Sequence, residues 1–275
     1  MRTILAIAKK ELTIFLTTPW AWIVFTFFSF VASTFFMSSL TDFRRAHADV
    51  AQLSGGWSQV EPEFQFLRNL TDGVVMPTFS AMLMVMMFLV PVLSARLFAD
   101  ERRQKTFELL MTSPVSTTQI VIGKYLGGLA LVSLTVCLML LYPAVLSVFG
   151  TSFSAVTSEK TATLEWPTVL LGFLGLLVWG AAILAIGTFI SSLTESVIVA
   201  IIVTFCVSLL LLIVRILAPS AGEPLRSLLE YASFEAQLRN FMRGVFDLRP
   251  LVFFGSLIAA FLVATHRSVE SRRWV

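Results

Sequence analysis

Long apolar blocks alternate with short polar segments along the chain, and the lengths of the blocks predict membrane-spanning helices. A bilayer core needs roughly 20 apolar residues per helix. Five blocks meet that length and predict spans over about residues 20–40, 77–97, 121–149, 168–190 and 196–217. A sixth span is predicted over about residues 250–266, where the apolar block from Leu251 to Thr265 has only 15 residues. Arg249 and Arg267 flank this block, and their long side chains can reach the headgroups and make up part of the missing length.

The composition requires an apolar environment for these blocks. Hydrophobic residues make up 57% of the 275 residues and charged residues 13%, whereas soluble domains carry about 25% charged residues. A water-soluble fold could not bury such a surplus of apolar side chains. We therefore predict an all-α integral membrane protein in which residues 1–275 form a single transmembrane domain.

The distribution of Lys and Arg predicts the orientation, because cytoplasmic flanks near the membrane retain these residues. With six spans and the N-terminus inside, the cytoplasmic segments hold 11 basic residues in 64 positions and the outer segments hold 8 in 87. Five spans would place Arg267, Arg272 and Arg273 outside, which the same rule disfavours. We therefore predict six spans with both termini in the cytoplasm.

Residues 1–19 precede the first span and have helical periodicity. Four apolar residues recur at helical spacing: Ile4, Ala8, Leu12 and Phe15. Polar residues occupy the other faces, so the pattern predicts an interfacial helix over 1–19 that leads into Pro19. An ordinary basic membrane flank is the alternative. We do not expect a signal peptide, because the apolar block that follows is too long and no small-residue cleavage site closes it.

A second amphipathic segment is predicted at residues 233–246, just before the last span. Five apolar residues share one helical face: Phe234, Leu238, Phe241, Met242 and Val245. Glu235 and Arg239 form an i,i+4 pair away from that face. This pattern predicts a helix at the outer face of the membrane. It leaves open whether the helix has a gating role or is only interfacial.

Residues suited to catalysis are few. The two histidines, His47 and His266, are too far apart in sequence for a zinc-protease motif. The Gly-Lys pair at 123–124 lacks the Gly five residues earlier and the Ser or Thr directly after it that a phosphate-binding loop needs, since Thr118 and Tyr125 occupy those positions. We therefore expect no catalytic residue, no metal ion and no nucleotide site in this chain.

The spans are nearly free of charge, whereas an ion or proton path would be marked by ionisable residues. Arg96 and Arg215 lie at the ends of apolar blocks, where the side chain can extend to the headgroups. A secondary carrier or channel and an intramembrane enzyme are therefore less favoured. Small residues instead predict close helix contacts. They are Gly123, Gly127, Ser29, Ser33, Gly172, Gly175, Gly180 and Gly187.

The first cytoplasmic loop, 98–116, has an unusual composition. It holds six charges between Asp100 and Glu108, continues with Leu109, Leu110 and Met111, and reaches Pro114 just before a new helical segment. A short helix from Thr106 to Thr112 would place Phe107, Leu110 and Met111 on one face and offer an apolar and an acidic contact. A solvated loop is the alternative.

The same loop resembles a known family. Its pattern is Glu101-Arg102-x-x-x-Thr106-x-Glu108-Leu109-Leu110-x-Thr112-Ser113-Pro114-Val115-Ser116, followed by Ile120-Val121-x-Gly123-Lys124-Tyr125. This pattern, residues 8–12, the turn 191–196 and the six-span layout resemble type-2 ABC transporter permeases. Segments 230–247 and 265–272 resemble the gliding-motility-type permeases within that family. One departure is Lys105, where that subgroup usually has a Gly before the Thr.

The resemblance implies a site and partners. Loop 98–116 would carry a coupling helix that docks on a separate ATP-binding subunit, which would hold ATP and Mg, so this chain would not itself be an enzyme. The implied docking residues are Glu101, Arg102, Lys105, Thr106, Phe107, Glu108, Leu110, Met111 and Pro114, and those of the interfacial helix are Lys9, Lys10 and Glu11. The helix 233–246 would re-enter the outer leaflet and close the transport path. A second permease subunit, identical or related, would complete the complex in the cell (inner) membrane.

Function follows from the resemblance together with the apolar spans. We expect export or extraction of a lipid-like or amphipathic substrate. Alternatively, the complex transmits conformational change to an outer partner through the outer loop 41–76, in which Gly55, Gly56 and Pro62 argue against one continuous helix. A membrane-anchored outer accessory protein is a further partner that the sequence leaves open. The net charge of +3 reflects membrane orientation and gives no reason to expect nucleic acid.

Overall fold

A computed structural model of the chain describes residues 2–52, 69–106, 115–154, 164–217, 222 and 234–271. Every regular element within these ranges is helical. The elements are α1 (Arg2–Thr17), α2 (Pro19–Ala51), a π-helical turn (Thr71–Val75) continuing into α3 (Met76–Ala95), α4 (Ala99–Arg103), α5 (Thr117–Cys137), a 3-10 turn (Leu138–Leu140) continuing into α6 (Leu141–Ser154), α7 (Trp166–Leu193), α8 (Val197–Leu217), α9 (Phe234–Met242) and α10 (Leu248–Ser271).

Six stretches of helix are long and apolar enough to cross a membrane, which confirms the predicted all-α fold with six spans. They contain α2, α3, α5 with α6, α7, α8 and α10. The sixth span, predicted from a short apolar block, belongs to a helix of 24 residues, which is about 36 Å long. Its length is sufficient because the helix continues through His266 and ends at Ser271.

Two spans differ from a single uninterrupted helix of bilayer length. Helix α2 has 33 residues and continues to Ala51, so residues 41–51 of the predicted outer loop are helical. Residues 53–68 of that loop, with Gly55, Gly56 and Pro62, lie outside the described part of the chain. The third span is interrupted by the turn Leu138–Leu140. Pro143 accounts for that turn, since it has no N–H to bond the carbonyl four residues earlier.

Helix α7 is the central helix of the bundle and contacts α3, α5, α8, α9 and α10. Its small residues permit this packing. A Cβ added at Gly172 would lie 2.9 Å from the Phe79 ring, and one at Gly180 would lie 2.6 Å from Met86 and 2.7 Å from Val132. The predicted role of these glycines in close helix approach is confirmed.

The two ends of the bundle are distinct. At the C-terminal end of α7, which we call the basal end, Ser192 Oγ lies 3.2 Å from Ser268 Oγ of α10, and α1 packs against α5. At the opposite end, which we call the distal end, the backbone N–H of Glu165 donates to Thr71 Oγ1 at 2.8 Å. The predicted docking loop therefore starts at the basal end. Helix α9 lies at the distal end, because the turn directly after it lies beside Thr168.

Candidate docking site at the basal end

The docking loop begins with a short helix, α4, that Ser191 of α7 holds in place. The buried Ser191 hydroxyl accepts hydrogen bonds from the backbone N–H groups of Phe98 at 3.2 Å and Ala99 at 3.0 Å, and it donates to the Ala95 carbonyl at 2.7 Å. The first N–H groups of a helix have no partner within the helix. Ser191 supplies that partner from a distant part of the chain, and so attaches the loop base to the central helix.

Helix α4 ends in a turn that needs a left-handed residue. Lys105 has a φ of 56°. The N–H of Thr106 donates to the Glu101 carbonyl at 3.0 Å, and the N–H of Lys105 donates to the Arg102 carbonyl at 3.1 Å. These two bonds form a Schellman motif, in which the left-handed position is usually Gly. Lys105 therefore makes the turn that a Gly would make with less strain.

Arg102 faces the chain itself. Its guanidinium group donates to the Ser192 carbonyl at 2.8 Å and pairs with Glu195 at 3.3 Å, and its side chain is only 9% exposed. These contacts join α4 to the turn 191–196 that follows α7. Arg102, predicted as a docking residue, thus lies in an internal contact.

Among the described residues, Lys124 is the most deeply buried charge of the basal end. Its side chain is 1% exposed, and its Nζ lies 2.9 Å from a carboxylate oxygen of Glu11 and 2.9 Å from one of Glu101. Lys124 also donates to the Leu97 carbonyl at 2.7 Å. An ammonium group has three donors, and three oxygens surround this one. We call these four residues the Lys124 cluster.

Two glycines of α5 bring α1 close enough for this cluster to form. A Cβ added at Gly123 would lie 2.8 Å from Ile7, and one at Gly127 would lie 2.6 Å from the Cβ of Glu11. The predicted segment 1–19 is helical from Arg2 to Thr17, and its interfacial position stays a prediction. Its most buried residues, Glu11 and Phe15, face the protein.

The remaining residues of the interfacial helix and of the docking loop have different surroundings. Lys9 is exposed, and Lys10 is 56% exposed with its Nζ 3.7 Å from Glu101. Lys105 and Thr106 are exposed. The other predicted docking residues, and most of the short helix predicted from 106 to 112, lie outside the described residues: Phe107, Glu108, Leu110, Met111 and Pro114.

The far end of the docking loop is also anchored. Ser116 precedes α5, and its hydroxyl accepts from the N–H of Gln119 at 3.3 Å, while the Gln119 side chain accepts from the N–H of Ser116 at 3.4 Å. This reciprocal capping box fixes the start of α5. Residues 107–114 therefore connect two firmly capped helices.

Lys124 and Ser191 are site residues that were not predicted from the sequence. Lys124 entered the sequence predictions as a basic residue of the cytoplasmic segment and as part of the family pattern, without a structural role. A signal was present, because Glu11 lies on the apolar face of its helix between Ile7 and Phe15. A carboxylate on a buried face needs a buried cation. Ser191 begins the turn 191–196 that carries part of the resemblance, but Ser is common in membrane helices and the pattern does not identify its hydroxyl as a cap.

At the distal end, α9 packs against α7. Leu238 and Phe241 are fully buried, and both lie 3.4 Å from the position of a Cβ on Gly175. Helix α9 begins at Phe234 and ends at Met242. The predicted helix over 233–246, with Val245 on its apolar face, is longer than the observed one: Gly244, with a φ of 72°, turns the chain, and Val245 lies beyond the helix and is 54% exposed.

An apolar cavity of about 300 Å³ lies beside α9. Four residues of α3, among them Ser80 and Met84, line it together with Trp179 of α7 and Leu212 of α8. Leu238 and Met242 of α9 contribute its distal side. The cavity thus lies between three spans and the distal amphipathic helix.

Comparison with known proteins places this architecture in a family. The family model described as ABC-2 family transporter protein matches residues 5–268. No protein of curated function matches the chain. The family match includes five spans in full, most of the sixth and of α1, and the whole Lys124 cluster, and the chain therefore belongs to the ABC-2 family of transporter proteins.

Proposed function

We propose that this chain docks an ATP-binding subunit through loop 98–116 and exports or extracts a lipid-like or amphipathic substrate. Membership of the family makes the chain a membrane permease of an ABC transporter, which works with an ATP-binding subunit. ATP and Mg would be held by that subunit, and its ATP hydrolysis would drive the permease. The likeness of residues 230–247 and 265–272 to gliding-motility-type permeases supports that subgroup without implying a role in motility.

The observation that carries the docking proposal is the firm anchoring of the two described segments of loop 98–116, which end at Thr106 and begin again at Val115. Ser191 and the Schellman turn at Lys105 hold the start, and the capping box of Ser116 holds the end. A short loop between two fixed points transmits displacement to the helices that carry it. This arrangement suits a contact that receives motion from another subunit.

The internal contacts of Glu101 and Arg102 change which residues we propose for docking. Both side chains pair within the chain, so their effect on docking would be indirect. The direct contacts would come from Lys105 and Thr106 together with five residues of the loop. Those are Phe107, Glu108, Leu110, Met111 and Pro114.

We place the basal end in the cytoplasm of a cell whose inner membrane holds the six spans. Exposed basic side chains at this end include Lys9, Lys10, Arg103 and Lys105. Such residues are retained on the cytoplasmic side. Both chain termini would then be cytoplasmic.

A second permease subunit would pack on the surface formed by α3 and α8. Phe88 of α3 is exposed and stacks against Phe205 of α8, with ring centroids 4.7 Å apart. Met84 and Ile202 extend this apolar surface. Cys206 is also exposed on α8, so cross-linking of the native cysteine between two copies tests the proposed homodimer.

The apolar cavity supports an amphipathic substrate and a gating role for α9. Its lining offers little polarity to a small ion, and Leu238 and Met242 close its distal side. The alternative, transmission of force to an outer partner or accessory protein, has its own support. Helix α2 extends to Ala51 as a continuous rod of 33 residues that links the bilayer to the outer segment.

Co-purification with the ATP-binding subunit tests the docking proposal. Glu108→Lys and Leu110→Ser should each reduce the amount of bound subunit and the ATPase activity of the complex. The matched control is Asp42→Lys, a charge reversal in an exposed ion pair with Arg45 on α2, which should leave complex formation unchanged. Full complex formation and activity in both loop variants would show that the docking assignment is wrong.

A further inference from the structure

Lys124 joins four segments of the chain at one atom. Glu11 belongs to α1, Leu97 follows α3, Glu101 belongs to α4, and Lys124 itself belongs to α5. All three oxygens of the cluster lie within 2.9 Å of its Nζ. A buried charge is tolerated only when partners compensate it. The cluster therefore fixes where α1 and α4 lie relative to the third span.

Glu101 depends strongly on this contact. Its Oε1 atom pairs with Lys124 and lies 3.7 Å from Lys10. Its Oε2 atom is buried and has no hydrogen-bond partner among the described residues. Loss of Lys124 would leave the Glu101 carboxylate with little compensation inside the protein.

The docking loop has two separate attachments to the bundle. Ser191 and the Ser192 carbonyl attach α4 to the central helix α7 through Ala99 and Arg102. The pairing of Glu101 with Lys124 attaches α4 to α5. Helix α1 shares only the second attachment, since Glu11 reaches the same ammonium group and the glycines of α5 hold the helix backbone close.

We propose that Lys124 is a positioning residue that holds the docking loop and α1 on the third span, so that a displacement of the loop moves α1 and α5 together. This inference rests on the proposed docking of an ATP-binding subunit at the loop. A displacement of the loop would then reach the bundle by two routes, one through Ser191 into α7 and a second through Lys124 into the third span. The second route depends on the attraction between the ammonium group of Lys124 and the carboxylates of Glu11 and Glu101.

The choice of variants follows from the charge balance. Lys124→Met would leave two buried carboxylates without their cation, and the protein would misfold. Glu11→Gln and Glu101→Gln each leave Lys124 with one carboxylate, so the fold should be retained. Glu11 is 6% exposed and cannot serve as a docking contact. Arg103→Gln is the control, because it removes an exposed charge of α4 that pairs only with Asp100 among the described residues.

The first measurement uses the full-length permease alone in nanodiscs. Cys137 and Cys206 are first replaced by Ser. Spin labels are then attached at two exposed positions, Ala6→Cys on α1 and Gln104→Cys directly after α4. They report the distance between the two helices. The Glu11→Gln and Glu101→Gln variants should broaden the distance distribution, and Arg103→Gln should leave it unchanged. A distribution as narrow as that of the parent in both cluster variants would overturn the proposal.

The second measurement uses the complex with the ATP-binding subunit. Glu11→Gln should lower kcat for ATP hydrolysis about tenfold, the size expected for a residue on a coupling route. KM for ATP should not change, because the nucleotide site is on the other subunit. An unchanged kcat would also overturn the proposal. If the parent chain binds no ATP-binding subunit, the docking proposal fails, while the spin-label distances still decide the role of Lys124.

Discussion

The hydroxyl oxygen of Ser191 lies 3.0 Å from the backbone nitrogen of Ala99, 92 positions earlier in the chain. Ser191→Ala would remove the hydrogen bond to the buried N–H group of Ala99, at a cost of about 1 to 3 kcal/mol in the free energy of unfolding. Thermal unfolding of the purified protein measures the loss. Ser208→Ala is the control, since the buried Ser208 hydroxyl bonds the Thr204 carbonyl of its own helix. Equal stability of the two variants would contradict a capping role for Ser191.

Gly127 should tolerate no side chain, whereas Gly255 should tolerate one. A Cβ at Gly127 would lie 2.6 Å from the Cβ of Glu11, and one at Gly255 would meet nothing within 4 Å. Gly127→Ala should push α1 away from α5 and lower the unfolding temperature. Gly255→Ala should be neutral or stabilising by up to about 1 kcal/mol, because Ala favours a helix interior over Gly. Reduced stability of both variants to the same extent would refute the close approach of α1.

Lys105→Gly should stabilise the start of the docking loop. Lys105 has a φ of 56°, and a left-handed conformation costs a residue with a Cβ about 1 to 2 kcal/mol. Part of this gain is offset by the greater freedom of Gly in the unfolded chain. Slower amide exchange at Thr106, which donates to Glu101 across the turn, measures the effect. Lys105→Ala retains the Cβ and should give no gain; equal protection in the two variants would argue against strain at this turn.

The packing of α9 against α7 predicts which cysteine substitutions in and after α9 a water-soluble reagent can label. With the native cysteines replaced, Val245→Cys should react with a water-soluble maleimide and Leu238→Cys should not, since Val245 is exposed and Leu238 is buried. Adding Phe241→Ala should increase labelling of Leu238→Cys, because the Phe241 side chain packs beside Gly175. Rapid labelling of Leu238→Cys in the otherwise unchanged protein would show that α9 does not rest on α7.

Hydropathy was sufficient to predict five spans, because apolar blocks of bilayer length have no other stable place. The sixth, from a block of only 15 residues, also needed the distribution of Lys and Arg. The amphipathic helix before the first span and the one before the last were predicted from periodicity, and both are present. The end of α9 was not predictable by this means. Val245 fits the helical spacing of apolar residues, but the helix ends before it, because Gly244 has a left-handed backbone conformation. The spacing of apolar residues contains no information about backbone angles.

The partners of the charged residues in the docking loop could not be predicted from sequence patterns. Sequence likeness singled out Glu101 and Arg102 as charges of a docking surface. Packing instead pairs them with Lys124 and Glu195, which are remote in sequence. Whether a charge points to solvent or to another helix depends on which helices meet, and no local spacing contains that information.

By itself, then, the sequence determined an all-α membrane protein with six spans, an N-terminal helix and a charged loop resembling that of ABC permeases. These features depend on length, composition and local period. Only the tertiary structure decided that Glu11 and Lys124, 113 positions apart, form a buried ion pair. The reason is physical: a buried charge is stable only beside its partner, and partners from α1 and α5 meet only because two glycines let those helices touch.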